Sequence, residues 1–324
     1  RSTLFPYTTL FRSKVPDGTT LVLTIDRDLQ ARVESILDES LSKYGAENGT
    51  VIVMDPRNGE ILAMASTPHM DLNNYNNYFS LYDDGSQYNR SIGMSYEPGS
   101  VLKVLTMAAA LDTGTVRPET TFVDTGVIEV GGITIRNWNR DSWGEQNMIG
   151  CLQHSLNVCL AWVATQMGMQ NFYGYMERFG LGHPTGIDLS GEATGRLKVP
   201  GDTDWYPVDL GTNAFGQGIS VTPMQMLMSV SSIANGGRMV TPHVLYSMLR
   251  DGHQYNVPPQ YGGSPISAGT AKTLTDMLAV SLEQESSQAL LPGYRLAGKT
   301  GTAQIPTEYG YDATHTNVSF IGWG

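Results

Sequence analysis

The chain predicts an α+β fold, an antiparallel sheet carrying a mainly helical insertion. Three observations predict it: strand-like alternation near both ends, helical periodicity through the middle, and no regular β-α-β alternation of the kind a parallel sheet needs. With 324 residues it can bury a large core, and residues 14–324 read as one composite domain.

The elements follow in order. Residues 21–25 alternate toward a short strand, and Asp26 caps a helix to Tyr44 whose Leu29, Val33, Ile36, Leu37 and Leu41 fall at helical spacing. Gly45 and Gly49 end it. Residues 50–54 and 60–65 are apolar runs joined by Asp55-Pro56-Arg57-Asn58-Gly59, which reads as a hairpin turn. The polar, Asn- and Tyr-rich stretch 67–96 reads as loop. After Glu97-Pro98-Gly99, residues 100–111 predict a helix closed by Thr113-Gly114. Further helices are expected near Met148, over 157–168, over 171–179, from Thr222-Pro223 to Ala234, and from a Ser267 cap to about Glu285. Residues 294–304 and 315–323 predict the closing strands.

Composition narrows the function. The net charge of −11 argues against a surface that neutralises nucleic-acid phosphates, so nucleic acid is not an expected partner. No stretch approaches the roughly 20 apolar residues that cross a bilayer. The six histidines show no ligand spacing, and neither metal nor cofactor is expected. Cys151 and Cys159 read as two turns apart on one helical stretch, beyond the roughly 7 Å Cα limit for a disulfide, and so as free core thiols. The ends are anomalous. Residues 1–13 resemble a translated sequencing adapter and are set aside as a non-native scar; Trp323-Gly324 stop inside an apolar alternating run, so the chain reads as cut at both ends.

Three short words carry chemistry. Ser100-Val-Leu-Lys103 places a hydroxyl and an amine one turn apart on one face, at a helix start whose dipole favours developing negative charge. A desolvated lysine there can lose its proton and act as base. The word alone is weak, since Ser40-Leu41-Ser42-Lys43 repeats it at a helix end where it reads as a solvated face. Ser155-Leu156-Asn157 brings a hydroxyl and an amide into one space only if the backbone turns; alone it also reads as a helix cap. Lys299-Thr300-Gly301-Thr302 lies in a strand where Lys299 and Gly301 share one face and Thr300 and Thr302 the other. Alone it also reads as a polar edge strand. His154 reads as a packing residue, and Trp138, Trp143 and Trp205 as packing rather than a binding groove.

Ser-x-x-Lys, Ser-Asp-Asn and Lys-Thr-Gly form the signature set of class A β-lactamases and penicillin-binding proteins. The chain carries all three in that order, departing only at Leu156. Tyr96-Glu97-Pro98-Gly99-Ser100, Val53-Met54-Asp55-Pro56 with Gly59-Glu60-Ile61-Leu62-Ala63-Met64, and Phe215-Gly216-Gln217-Gly218 with Val221-Thr222-Pro223 resemble the transpeptidase domain of class B penicillin-binding proteins, over residues 15–324. The first of these is most similar to the division and sporulation branch.

The resemblance implies a serine β-lactamase/transpeptidase-like fold and a peptidoglycan D,D-transpeptidase inhibited by β-lactams. It implies that Ser100 attacks the penultimate D-alanine of a stem peptide while Lys103 takes its proton. Ser155, Asn157 and Lys299 would relay the proton and orient the substrate. The backbone N–H groups of Ser100 and Thr302 would form the oxyanion hole, and Thr300 and Thr302, beside Gly301, would bind the terminal carboxylate. A D,D-carboxypeptidase or β-lactamase is the alternative within hydrolases, and a non-catalytic β-lactam sensor or division scaffold the alternative outside them. Glycosyltransferase and division proteins are the implied partners, and the extracytoplasmic face of the bacterial membrane the implied location, with an anchor upstream. The family sheet further implies that a final central strand and a C-terminal helix are missing here, leaving a fragment that is unstable and poorly active.

Overall fold

The computed structural model describes residues 18–71, 73–74, 89–285, 289–307 and 310–324. Residues 1–13, expected to be a non-native scar, and part of the expected 67–96 loop lie outside them.

In chain order the elements are β1 (Thr20–Leu23), α1 (Arg27–Tyr44), β2 (Thr50–Met54), β3 (Ile61–Ser66) and α2 (Arg90–Gly93), then a 3-10 turn (Gly99–Leu102) running into α3 (Lys103–Asp112). There follow β4 (Thr121–Asp124), β5 (Val127–Val130), β6 (Ile133–Arg136), β7 (Gly144–Asn147), α4 (Met148–Gln153), α5 (Asn157–Met167) and α6 (Met169–Arg178). The chain continues through α7 (Asp209–Asn213), α8 (Pro223–Ala234), β8 (Met239–Val240), β9 (Leu245–Arg250), β10 (His253–Asn256) and β11 (Tyr261–Gly263). It ends with α9 (Ala268–Glu285), β12 (Ala297–Thr307) and β13 (Gly310–Trp323).

Local chemistry sets most of these bounds. The Asp26 carboxylate accepts from the N–H groups of Asp28 and Leu29 to start α1, and Gly45, at φ 67°, ends it. Thr222 and Gln225 form a reciprocal capping box on α8, with Pro223 at its first position. The Ser267 hydroxyl accepts from Thr270 N–H at the start of α9.

Helix α3 is the axis of the core. Every residue from Lys103 to Ala110 is buried, α5, α6, α8 and α9 pack against it, and α4 joins the same apolar cluster by packing on α9. The β2–β3 hairpin presses Ala63 and Ala65 against Val33 and Leu37 of α1. The β12–β13 hairpin is antiparallel from Ala297↔Trp323 to Thr307↔Gly310, with an irregularity between Gln304 and Pro306. Among the described residues no ladder joins the two hairpins. A groove lined by Met54, Pro56, Leu227, Val230, Ile321 and Trp323 lies between them.

Four small pairings escaped the sequence reading. Strand β1 pairs with β9 and through it β10, β4 pairs with β7, β5 with β6, and β8 with β11. Their partners are distant in sequence or at most four residues long, below the length at which alternation is distinctive.

The cysteine expectation is overturned. Cys151 and Cys159 form a disulfide, with Cα atoms 6.0 Å apart. They do not share a helix: Cys151 is on α4 and Cys159 on α5, and the chain reverses between them at Ser155, whose φ is 51°. Two turns of continuous helix would have separated them; the kink brings them together.

Candidate active site

Ser100 is partly exposed in the 3-10 turn, and Lys103, fully buried, follows at the head of α3. The Lys103 N–H donates to the Ser100 carbonyl. In a 3-10 turn residues three apart eclipse one another, so this geometry sets the two side chains one above the other more directly than an α-helix does. The sequence predicts an α-helix from Ser100; the tighter turn is what the structure adds.

The Lys103 Nζ lies 2.5 Å from the Ser155 carbonyl oxygen, 3.1 Å from Ser155 Oγ and 2.8 Å from Asn157 Oδ1. The left-handed backbone at Ser155 turns the chain so that hydroxyl and amide, two residues apart, face one amine. The first two words thus meet across 52 and 54 positions of sequence.

The third word lies on β12. Lys299 and Gly301 are buried while Thr300 and Thr302 are exposed, as the alternation predicts. Lys299 Nζ is 3.5 Å from Thr300 Oγ1. A Cβ on Gly301 would stand 3.1 Å from the Pro98 carbonyl and 3.0 Å from Val101 Cγ1, so its absence lets the strand lie against the Ser100 turn. On the other side of that turn Gly99 N–H donates to the Gly216 carbonyl at 3.0 Å. Gly216 has φ 84°, and a Cβ there would fall 2.1 Å from the Gly99 carbonyl oxygen. The Ser100 turn is therefore clamped between β12 and the 215–218 loop, two of the stretches singled out in the sequence.

Other positions were missed. Asn137, 2% exposed, donates to Asp124 Oδ2 at 2.8 Å and accepts from Val158 N–H at 3.2 Å. Asp124 Oδ2 also takes the Trp143 N–H, and Asn157 Nδ2 donates to the Arg136 carbonyl at 3.3 Å. These contacts brace the Ser155 turn against the β4–β7 and β5–β6 ribbons. A single buried Asp at a strand end and a buried Asn in a loop leave no periodic trace. Glu97, within a quoted stretch but assigned no role, accepts from Gly218 N–H at 2.9 Å.

His154 stacks on Trp143 with centroids 3.8 Å apart, and burial lowers its imidazole below the usual range. It packs, as expected. Trp205 donates to the Tyr173 hydroxyl within the fold, whereas Trp138 is 77% exposed. Among the described residues no group of three or more His, Cys, Asp or Glu could hold a metal ion, and no helix is long and apolar enough to cross a membrane.

Comparison with known proteins agrees with this geometry. The chain is 37% identical to stage V sporulation protein D of Bacillus subtilis over 317 residues, covering 95% of this chain and 48% of that protein. It is 32% identical to penicillin-binding protein PbpB of Mycobacterium tuberculosis over 311 residues, covering 90% and 44%. The chain thus spans about half the length of these relatives. The crystal structure of penicillin binding protein 3 from Mycobacterium tuberculosis, complexed with aztreonam, superposes with a TM-score of 0.85 at 30% identity, covering 96% of this chain and 71% of that one. Residues 49–324 match the pattern of the transpeptidase domain of penicillin binding proteins, and with the lysine, serine and asparagine already gathered at one point, the chain belongs to that family.

Proposed function

We propose that the chain is the catalytic domain of a peptidoglycan D,D-transpeptidase. The observation that carries this reading is the buried Lys103 amine, held by Ser155 and Asn157 one tight turn from Ser100. Ser100 Oγ attacks the carbonyl of the penultimate D-alanine, and Lys103 takes the hydroxyl proton. The N–H groups of Ser100 and Thr302 receive the oxyanion. The C–N bond then breaks, and the proton passes by way of Ser155 to the departing D-alanine. An amine of a neighbouring stem peptide attacks the ester and frees Ser100. Lys299 and Asn157 orient the substrate amide, and Thr300 and Thr302 hold its terminal carboxylate, Gly301 giving it room.

β-Lactams enter as mimics of the same amide, a reading supported by the aztreonam and ampicillin complexes of the similar penicillin binding protein 3. Glycosyltransferase and division proteins are the proposed partners, after relatives that include a sporulation protein. The proposed location is the extracytoplasmic face of the membrane. The Cys151–Cys159 disulfide supports it, since such bonds persist in oxidising compartments.

Mass spectrometry after treatment with penicillin tests the proposal. The expected result is one stable adduct, mapped to Ser100 and absent from Ser100→Ala. Deacylation within seconds would point instead to a carboxypeptidase or β-lactamase, and no adduct would remove the acyl-enzyme altogether.

A further inference from the structure

Glu97 sits three residues before the nucleophile and has no part in the acyl transfer described above. It is only 7% exposed. Its Oε1 accepts from Gly218 N–H at 2.9 Å and from the Tyr311 hydroxyl at 3.3 Å, while Oε2 is buried with no hydrogen-bond partner among the described residues. One carboxyl group therefore joins three segments: the turn that carries Ser100, the loop whose Gly216 carbonyl holds Gly99, and the tip of the β12–β13 hairpin.

Tyr311 lies opposite Pro306, on the far side of the irregularity that follows Gln304. The ladder that seats Lys299, Thr300, Gly301 and Thr302 is interrupted there, and Pro306 has no N–H to give to it. Strand pairing alone does not dictate where the tip rests; the Tyr311 hydroxyl reaches back 214 positions to Glu97. A buried carboxyl with an unsatisfied oxygen is unfavourable compared with an apolar side chain of similar size. Its presence at this point is explained by what it holds. The groups that face this pair are Gly218 N–H and the Lys198 ammonium, which also binds Asp209 at 3.0 Å.

We propose that Glu97 and Tyr311 form a latch that seats the tip of the β12–β13 hairpin against the nucleophile turn and thereby sets the rate at which Ser100 is acylated. Both are positioning residues. Thr302 belongs to the same hairpin, and its carbonyl abuts Gly99; a tip that lifts displaces the Thr302 N–H from the Ser100 N–H, with which it must converge on one oxygen. The latch rests on the acyl-transfer reading of Ser100.

The test uses this chain, a fluorescent penicillin and backbone hydrogen exchange. Tyr311→Phe removes one hydroxyl and nothing else. It is expected to lower the second-order acylation rate about tenfold, the scale on which small misplacements act, to speed exchange over residues 303–307, and to leave the melting temperature nearly unchanged. Glu97→Gln keeps an oxygen acceptor and is expected to retain most of the rate that Glu97→Ala loses. Adding Tyr311→Phe to Glu97→Ala is expected to cost nothing further, because the bond is already gone. Unchanged exchange in Tyr311→Phe overturns the latch, and unchanged acylation overturns its effect on rate. Multiplying losses in the double variant overturn the pairing. Should the unaltered chain not be acylated at all, the functional reading fails, and the exchange measurement still decides the latch.

Discussion

Ser100 and Lys103 illustrate what single residues contribute. Lys103 is wholly buried and makes polar contacts with Ser155 and Asn157. Lys103→Met keeps the bulk and removes the amine proposed as base. It is expected to slow acylation by a fluorescent penicillin by about 10² to 10⁴, the usual worth of a positioned base; acylation at the unaltered rate would assign the proton to another group. Glu97 carries a pH signature of its own. Burial pushes its carboxyl above the ordinary range, outweighing the Gly218 N–H, the Tyr311 hydroxyl and the Lys198 charge that act the other way. An acid raised in the folded state binds its proton more tightly there than when unfolded. Its contribution to stability is therefore present at low pH and lost as pH rises through the raised value. Glu97→Gln has no proton to lose, so its melting temperature is expected to gain on that of the unaltered chain as pH rises through and above the ordinary carboxylate range. A difference that stays constant across that range contradicts the assignment. At this scale the sequence named Ser100, Lys103, Ser155, Asn157, Lys299 and the strand residues after it by their words. It passed over Glu97, Asp124 and Asn137, because a buried polar side chain is recognised only by the partners that satisfy it.

Elements were legible where they carry their own punctuation. Helix α1 begins and ends at Asp26 and Gly45, and α8 begins at Thr222-Pro223, as their caps predict. The sequence separated α4 from α5, with helices expected near Met148 and from Asn157, but not the angle between them: only the left-handed Ser155 shows that the chain reverses there, which is also why the cysteines were misread. Asp112 shows how elements are tied once formed. At the end of α3 it accepts from Ser267 N–H and Thr270 Oγ1 on one oxygen and from the Tyr175 hydroxyl on the other, joining α3 to the start of α9 and to α6. Burial works against its charge, but the hydrogen bonds from Ser267, Thr270 and Tyr175 prevail and hold the carboxyl below its usual value. A depressed acid stabilises the fold above the ordinary carboxylate range and loses that effect as pH falls. Asp112→Asn is expected to cost about 1 to 3 kcal/mol in urea unfolding at neutral pH, with the difference narrowing in acid. No loss at neutral pH would show the junction to be held by packing alone.

For the whole molecule the open question is the sheet. The β2–β3 and β12–β13 hairpins stand apart across an apolar groove, with no ladder between them among the described residues. We propose that a strand outside this sequence pairs between them, as the family sheet implies. A chain extended through such a strand is expected to melt higher by circular dichroism than this one, since each backbone group it satisfies is worth about 1 to 3 kcal/mol. Equal midpoints would sink the proposal.

The sequence by itself determined the fold class, the caps, the helical middle, the closing strands and the three short words that place the proposed site, all of which depend on residues near one another along the chain. Tertiary structure alone decided that Lys103 meets Ser155 and Asn157, that Cys151 bonds Cys159, and that Tyr311 reaches Glu97. Those contacts rest on a backbone reversal at Ser155 and on packing between distant segments. Neither leaves a periodic trace in the order of the amino acids.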